Sequence, residues 1–226
     1  MALVTTGNIK CVYSADRHRH TIYFIAPQPL EETEVERLAK TYRCNLAVIT
    51  GINWADDMTP WVAPPVFPEE ARFGGNAEAF ADRLIGEIIP AIEKDEKFGN
   101  TEVRDIAGIS LSGLFATYIW LTRPFFDSMA SISGSFWYNG FVNFINNIEP
   151  VNRTGVAYFS LGVTEANSKV ERFKSISGDT AEVIFAMRRY RLRAIMEWNR
   201  GGHNYPIIPR LEKALLALTT QNVLPA

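Results

Sequence analysis

Cysteine is nearly missing: the 226 residues hold two, Cys11 and Cys44. They form no C-x-x-C pair and no metal-ligand spacing, which excludes a disulfide scaffold and a zinc ribbon. Two buried thiols in a reducing cytosol are the expectation, and with them a cytoplasmic location. A charge excess of one sign is also missing, since 23 basic residues face 25 acidic ones. Neither nucleic acid nor an anionic membrane surface is therefore an expected partner. No apolar run approaches the length of a membrane span. MALVTTGNIK has no basic segment leading into an apolar one, so no export signal is expected. Repeats, low-complexity tracts and Gly/Ser linkers are lacking. At this length a single domain over 1–226 is the expectation. Histidine is scarce too, with only His18, His20 and His203 available for imidazole chemistry.

What the sequence does have is an alternation. Short apolar runs at 21–26, 45–50, 103–109, 128–133, 155–162 and 192–198 are separated by helical patterns. Several runs are apolar nearly throughout, as parallel strands covered on both faces require, and NIKCVY (8–13) is expected to add an edge strand. Helices are predicted over 30–42, 76–95, 111–121, 139–147, 179–189 and 207–219, with Asn76 as an N-cap and Pro90 as a kink. The pattern predicts an α/β architecture, a mostly parallel sheet between two helical layers. Residues 51–75 break the rhythm with prolines and no clear period. Their tryptophans and Val66 and Phe67 argue for a pocket wall or cap rather than disorder.

GISLSG (108–113) stands between the apolar run VRDIAGI and the helical pattern LSGLFATYIWL. That is the strand–turn–helix setting of a G-x-S-x-G nucleophile elbow, except that serine replaces the last glycine. In such a turn the residues two before and two after the nucleophile press together, so both must be small. If Ser110 attacks, they are Gly108 and Ser112; if Ser112 attacks, they are Ser110 and the bulky Leu114. Ser110 is therefore the expected nucleophile, with Ser112 a tolerated departure.

A serine hydroxyl needs a base to take its proton. His18 and His20 sit in the charged stretch SADRHRHT and read as a solvated turn. His203, in the glycine-flexible NRGGHNYP after the last predicted strand, is the expected base. The acid that orients it should follow a strand end between the two. Glu165, in LGVTEANSK, is the first carboxylate after GVAYFSLG. Asp127 precedes its strand, while Glu171 and Asp179 read as part of a later loop and helix. Two N–H donors must face the oxyanion. Leu111, at the helix start, supplies one, and Gln28 the other, because Pro27 and Pro29 have none.

These residues resemble the α/β-hydrolase esterases that include esterase D, enterochelin and other siderophore esterases, and the mycolyltransferases. The resemblance runs from about residue 20 to the end. It is carried by YFIAPQ, GGNAEAFADRLIGEIIPAIE, IAGISLSGLFATYIWLTRPFFDSMASISGSFWY, LGVTE and GGHNYP. It implies an α/β-hydrolase fold of near-minimal length, with Ser110 as nucleophile, Glu165 as acid and His203 as base. Ala26-Pro27 stand where the family usually has Asp-Gly, and the donor position maps to Gln28. The activity implied is hydrolysis of a small-molecule carboxylic ester through an acyl-enzyme, with neither metal nor organic cofactor. Transfer to another acceptor on the same triad, peptidase action, and a non-catalytic binding role are the alternatives. Trp54, Trp61 and Trp137 are candidates for an apolar substrate wall, with core packing the equal alternative for each.

Overall fold

Strands apolar on both sides have to be covered twice, and one sheet with two helical layers does this. A computed structural model describes residues 2–220; Met1 and 221–226, which the expected single domain includes, lie outside the described residues. Strands β1 (Ala2–Thr6), β2 (Ile9–Ser14), β3 (His20–Ile25), β4 (Asn45–Thr50), β5 (Val103–Ile109), β6 (Ser128–Ile132), β7 (Val156–Gly162) and β8 (Arg193–Asn199) are present. They line up as β1-β2-β4-β3-β5-β6-β7-β8. β1 and β2 run antiparallel to their neighbours and the other six strands are parallel. The expected edge strand over 8–13 is corrected on one point. β2 is internal, because Gly7 turns the chain at φ 62° and lays β1 outside it.

Alternation within the strands sorts the core into two halves. Tyr23, Ile25, Ala47, Ile49 and Ile106 face one cluster, while Ile22, Phe24, Leu46, Val48 and Ala107 face the other, as the period of two demands. Helix α1 (Glu32–Tyr42) begins with Glu32 and Glu34 against its dipole, a favourable placement. The excursion at 51–75 contains α2 (Trp54–Asp57) and a bridge between Ala63 and Phe73. The helix expected over 76–95 is interrupted. It runs as α3 (Ala77–Arg83), a π-helical turn over Leu84–Ile88, and α4 (Ile89–Glu93). Pro90 has no N–H and its ring needs room at the preceding carbonyls; the widened turn, closed by Ile89 N–H on Leu84 O, supplies it. Asn76 takes the N-cap position without a side-chain cap bond.

Helices α5 (Leu111–Thr122), α6 (Phe141–Asn147), α7 (Glu171–Lys174), α8 (Ile176–Arg189) and α9 (Ile207–Thr220) complete the chain. α1 and α9 share one face of the sheet, and α3, α5, α6 and α8 pack on the other. No helix among the described residues is long and apolar enough to cross a membrane. The chain places β4 on one side of β3 and β5 on the other. Loops leaving the carboxyl ends of β3 and β5 therefore diverge around a crevice, where α/β sheets bind ligands.

At the amino ends of the central strands, the solvated reading of His20 is overturned. Its ring is the first of β3, only 12% exposed, with Nε2 2.7 Å from Asp105 Oδ2. Asp105 Oδ1 accepts the Ser128 N–H at 2.8 Å. Burial pushes the Asp105 carboxyl above the usual range. This pair ties β3, β5 and β6 together far along the chain from one another. Asp105→Ala should lower the unfolding free energy by about 3 kcal/mol, because it strands a buried imidazole and an N–H. Urea unfolding measures this, and a loss near zero would refute the pair's structural role.

Candidate active site

β5 ends at Ile109 and α5 begins at Leu111, so one residue reverses the chain. That residue, Ser110, has φ 59° and ψ −123°, a conformation costing about 1–3 kcal/mol for a side chain with a Cβ. Its surroundings enforce it. Ser110 N–H donates to Ile132 O at 3.0 Å, and Ser110 O accepts from the N–H groups of Gly113, Leu114 and Ser135. A Cβ on Gly108 would lie 2.1 Å from the Ser112 carbonyl oxygen. The expected contact between the positions flanking Ser110 is thus a backbone contact.

Ser112 is fully buried. Its hydroxyl lies 2.7 Å from Ile25 O and 2.8 Å from Ile109 O, and accepts the Ile109 N–H at 2.8 Å. It is a strut between the elbow and the end of β3.

Ser110 Oγ, at the rim, lies 3.1 Å from His203 Nε2, and His203 Nδ1 lies 3.1 Å from Glu165 Oε2. His203 reaches in from the loop between β8 and α9 and is 44% exposed, whereas the Glu165 side chain is 3% exposed. Glu165 opens the single 3-10 turn after β7. Its Oε1 accepts the Ser133 hydroxyl and the Gly162 N–H, both at 2.6 Å, and Arg210 Nη1 at 3.2 Å. Burial pushes this carboxyl up, but hydrogen bonds from His203, Ser133 and Gly162 N–H outweigh it and hold it below its ordinary value. The acid is thus kept ionised. Such a chain of contacts can move a proton from a hydroxyl to an imidazole whose positive charge a carboxylate then offsets.

A cavity of about 360 Å³ opens beside Ser110, His203 and Glu165. Trp137, Val170, Phe173 and Ile176 form an apolar side and Ser135, Thr164, Asn167, Ser168 and Asn204 a polar one. The sequence-derived Trp137 therefore lines it. Trp54 does not; the wall role expected for it is corrected, because it is half-buried against the main core at the start of α2. Trp61 is also packing: its Nε1 donates to Asn139 O at 2.8 Å and its ring meets Tyr138, Phe141 and Phe144. Leu111 opens α5, where a first-turn N–H has no acceptor within the helix. Gln28 is exposed in the loop that leaves β3 beside Gly108, since Ile25 pairs with Gly108. Ala26 N–H is committed to Ile49 O at 3.0 Å, so Ala26 is unavailable as a donor. Neither Leu111 nor Gln28 is among the residues lining the cavity.

Three residues escaped the sequence reading. Ser135 Oγ lies 3.3 Å from Ser110 Oγ, and Ser133 and Arg210 hold Glu165. The serines in SISGSFWY carry no signal of their own. Arg210 does: it lies three residues after Ile207 and four before Ala214, on the apolar stripe of IIPRLEKALLAL. A cation at a core position of a helix needs a buried anion.

The elbow contact is directly testable. Gly108→Ala should displace the turn by pushing on a backbone carbonyl, with a stability loss of about 3 kcal/mol or failure to fold. Gly86→Ala, where a Cβ meets nothing within 4 Å, is the matched control and should be neutral or stabilising. Equal effects in thermal unfolding would contradict the close approach.

No protein-family model matches the chain. The uncharacterized protein YbbA of Bacillus subtilis (strain 168) is 28% identical over 156 residues, which are 66% of this chain and 62% of that protein. The chain thus spans about 62% of the length of the curated relative it matches. The siderophore hydrolase EstB of Aspergillus nidulans superposes with a TM-score of 0.74 at 19% identity, over 100% of both chains. EstA, a siderophore hydrolase of the same fungus, gives 0.75 at 18% identity over 97% of this chain and 93% of its own. With its strand order, its elbow after β5 and these superpositions, the chain has the α/β-hydrolase fold.

Proposed function

We propose that the protein is a serine hydrolase that cleaves carboxylic esters through an acyl-enzyme. The observation that carries this reading is Ser110 Oγ at 3.1 Å from His203 Nε2, on a strained strand-to-helix turn. In the proposed cycle His203 takes the Ser110 proton as Oγ attacks the ester carbonyl. Leu111 and Gln28 N–H groups hold the oxyanion, helped by the α5 dipole. Glu165 offsets the imidazolium charge, and His203 returns the proton to the departing alcohol. Water, deprotonated by His203, then attacks the acyl carbonyl; the bond to Ser110 Oγ breaks, His203 returns the proton to Oγ, and the acid is released.

The cavity supports a small-molecule substrate whose apolar part packs on Trp137 and Phe173. EstB and EstA are siderophore hydrolases, so siderophore-type esters belong in the first substrate panel beside simple aryl esters. The buried free thiols of Cys11 and Cys44 suit a reducing compartment, the basis for proposing a cytoplasmic location.

Ser110→Ala should abolish turnover of a p-nitrophenyl ester series, a loss of at least about 10³-fold. Ser112→Ala should lose far less turnover than Ser110→Ala, while costing about 1–3 kcal/mol of stability, because it unpairs the Ile109 N–H. A fluorophosphonate should label wild type at Ser110 only. Turnover that survives Ser110→Ala, or equal losses in the two variants, would refute the assignment.

A further inference from the structure

Arg210 is a cation with 1% of its side chain exposed, on a helix whose neighbouring buried positions are Leu211, Ala214, Leu215 and Leu218. A guanidinium in such a place needs a reason, because desolvating it costs several kcal/mol. Nη1 lies 2.6 Å from Ser133 Oγ and 3.2 Å from Glu165 Oε1. Nη2 donates to Gly202 O at 2.5 Å, the carbonyl just before His203. The Arg210 side chain also lies over the Tyr205 ring, 5.8 Å from its centroid, in the same loop. One planar group therefore touches both the acid and the peptide that carries the base. Room for it is built in: a Cβ on Gly162 would meet Gly201 O at 2.3 Å and Arg210 Nη2 at 2.9 Å. Nε finds no partner among the described residues, so the contacts at the two Nη atoms dictate the placement.

We propose that Arg210 is a positioning residue, whose guanidinium bridges Glu165 and the Gly202 carbonyl and so sets how the carboxylate meets the His203 ring. This rests on the esterase reading above. Three donors occupy Oε1, which leaves Oε2 as the oxygen that faces His203. The second Nη atom then holds the loop at the residue before the imidazole. Without this bridge a 44% exposed histidine on a glycine-containing loop would sample positions out of reach of Ser110. The Glu165–His203 pair would also lose the cation that lies 3.2 Å from Oε1, which makes added positive charge there less unfavourable.

Other charges near the pair are spent or solvated. Glu165 and His203 carry the titratable side chains of the cavity lining. Arg172 donates to Pro64 O and Pro65 O, Asp179 accepts from Ser175, and Lys169 and Arg200 are exposed. Lys213, on α9, pairs with Glu197 of β8.

The test compares Arg210→Lys, which keeps the charge but not the fork, with Arg210→Gln, which loses the charge. The readouts are ester turnover and the pH dependence of Ser110 labelling by a fluorophosphonate, with folding checked by circular dichroism. Both variants should lose about 10- to 100-fold in kcat with KM within about twofold of wild type. The acidic limb of labelling should move up by roughly half to one pH unit in Arg210→Gln and stay in place in Arg210→Lys. A folded Arg210→Gln protein with the wild-type rate and pH profile overturns the inference. If Arg210→Gln does not fold, Arg210→Lys decides, and an unchanged kcat there overturns it. Wild type that is labelled at Ser110 while the variants match it refutes only the role of Arg210. Wild type that is not labelled at all refutes the esterase reading and this inference together.

Discussion

The approach of the Gly108 backbone to the Ser112 carbonyl is the constraint from which the rest of the site follows. A strand that must turn into a helix within one residue brings its two flanks into contact, and only a residue without a Cβ fits on the strand side. The turning residue then takes a positive φ, lifts its hydroxyl away from the sheet and begins a helix immediately behind it. Exposure of the Ser110 hydroxyl and a free helix N-terminus are thus one geometric event. The arrangement survives its strain because it is anchored on three sides: to β6 through Ile132 O, to the segment after β6 through Ser135 N–H, and to β3 through the Ser112 hydroxyl. The last anchor fixes the point where the loop bearing Gln28 leaves the sheet.

Burying a carboxylate raises the same electrostatic problem at both ends of this sheet, and the two solutions differ. Asp105 has one backbone N–H and one imidazole, and burial wins: its carboxyl is pushed up. Glu165 is also buried, yet hydrogen bonds from the His203 imidazole, the Ser133 hydroxyl and the Gly162 N–H outweigh burial and hold it down. The number and kind of donors decide the direction, not burial alone. The first pair suits a fixed joint between strands. The second holds a carboxyl below its ordinary value beside an imidazole.

Strand and helix existence was legible because alternation and helical spacing are local properties of the chain. The elbow was legible for the same reason, since a small-residue rule applies to five consecutive positions. Glu165 and His203 followed from chain order and strand ends, and the fold brings them to Ser110. What escaped was non-local. β1 is made by pairing with β2 beyond an unremarkable turn, and the π-helical turn before Pro90 depends on where carbonyls find room. His20 read as solvated because its partner, Asp105, lies 85 residues away. For Trp54 and Trp61 the choice between pocket wall and core packing stayed open, because an indole signals burial without saying against what. Arg210 was discoverable in principle as a cation on an apolar stripe, but its anion could be named only once β7 and α9 were seen side by side.

The excursion at 51–75 contributes to the cavity by support. The bridge between Ala63 and Phe73 closes it on itself, and Phe73 meets Trp137 at 6.2 Å, which in turn meets Phe173 at 4.9 Å. Tyr138 completes the seat by donating its hydroxyl to Trp61 O. Arg172, on the far side, ties α7 back to the carbonyls of Pro64 and Pro65. A run of rings therefore connects a prolines-and-tryptophans loop to the apolar lining, crossing segments that follow β4, β6 and β7. Ser110, Glu165 and His203 follow the carboxyl ends of β5, β7 and β8. The shape of the space before them is set by three crossing loops that hold one another through aromatic contacts and one arginine. The segment after β7 belongs to both parts, since it carries Glu165 as well as Val170 and Phe173 of the lining.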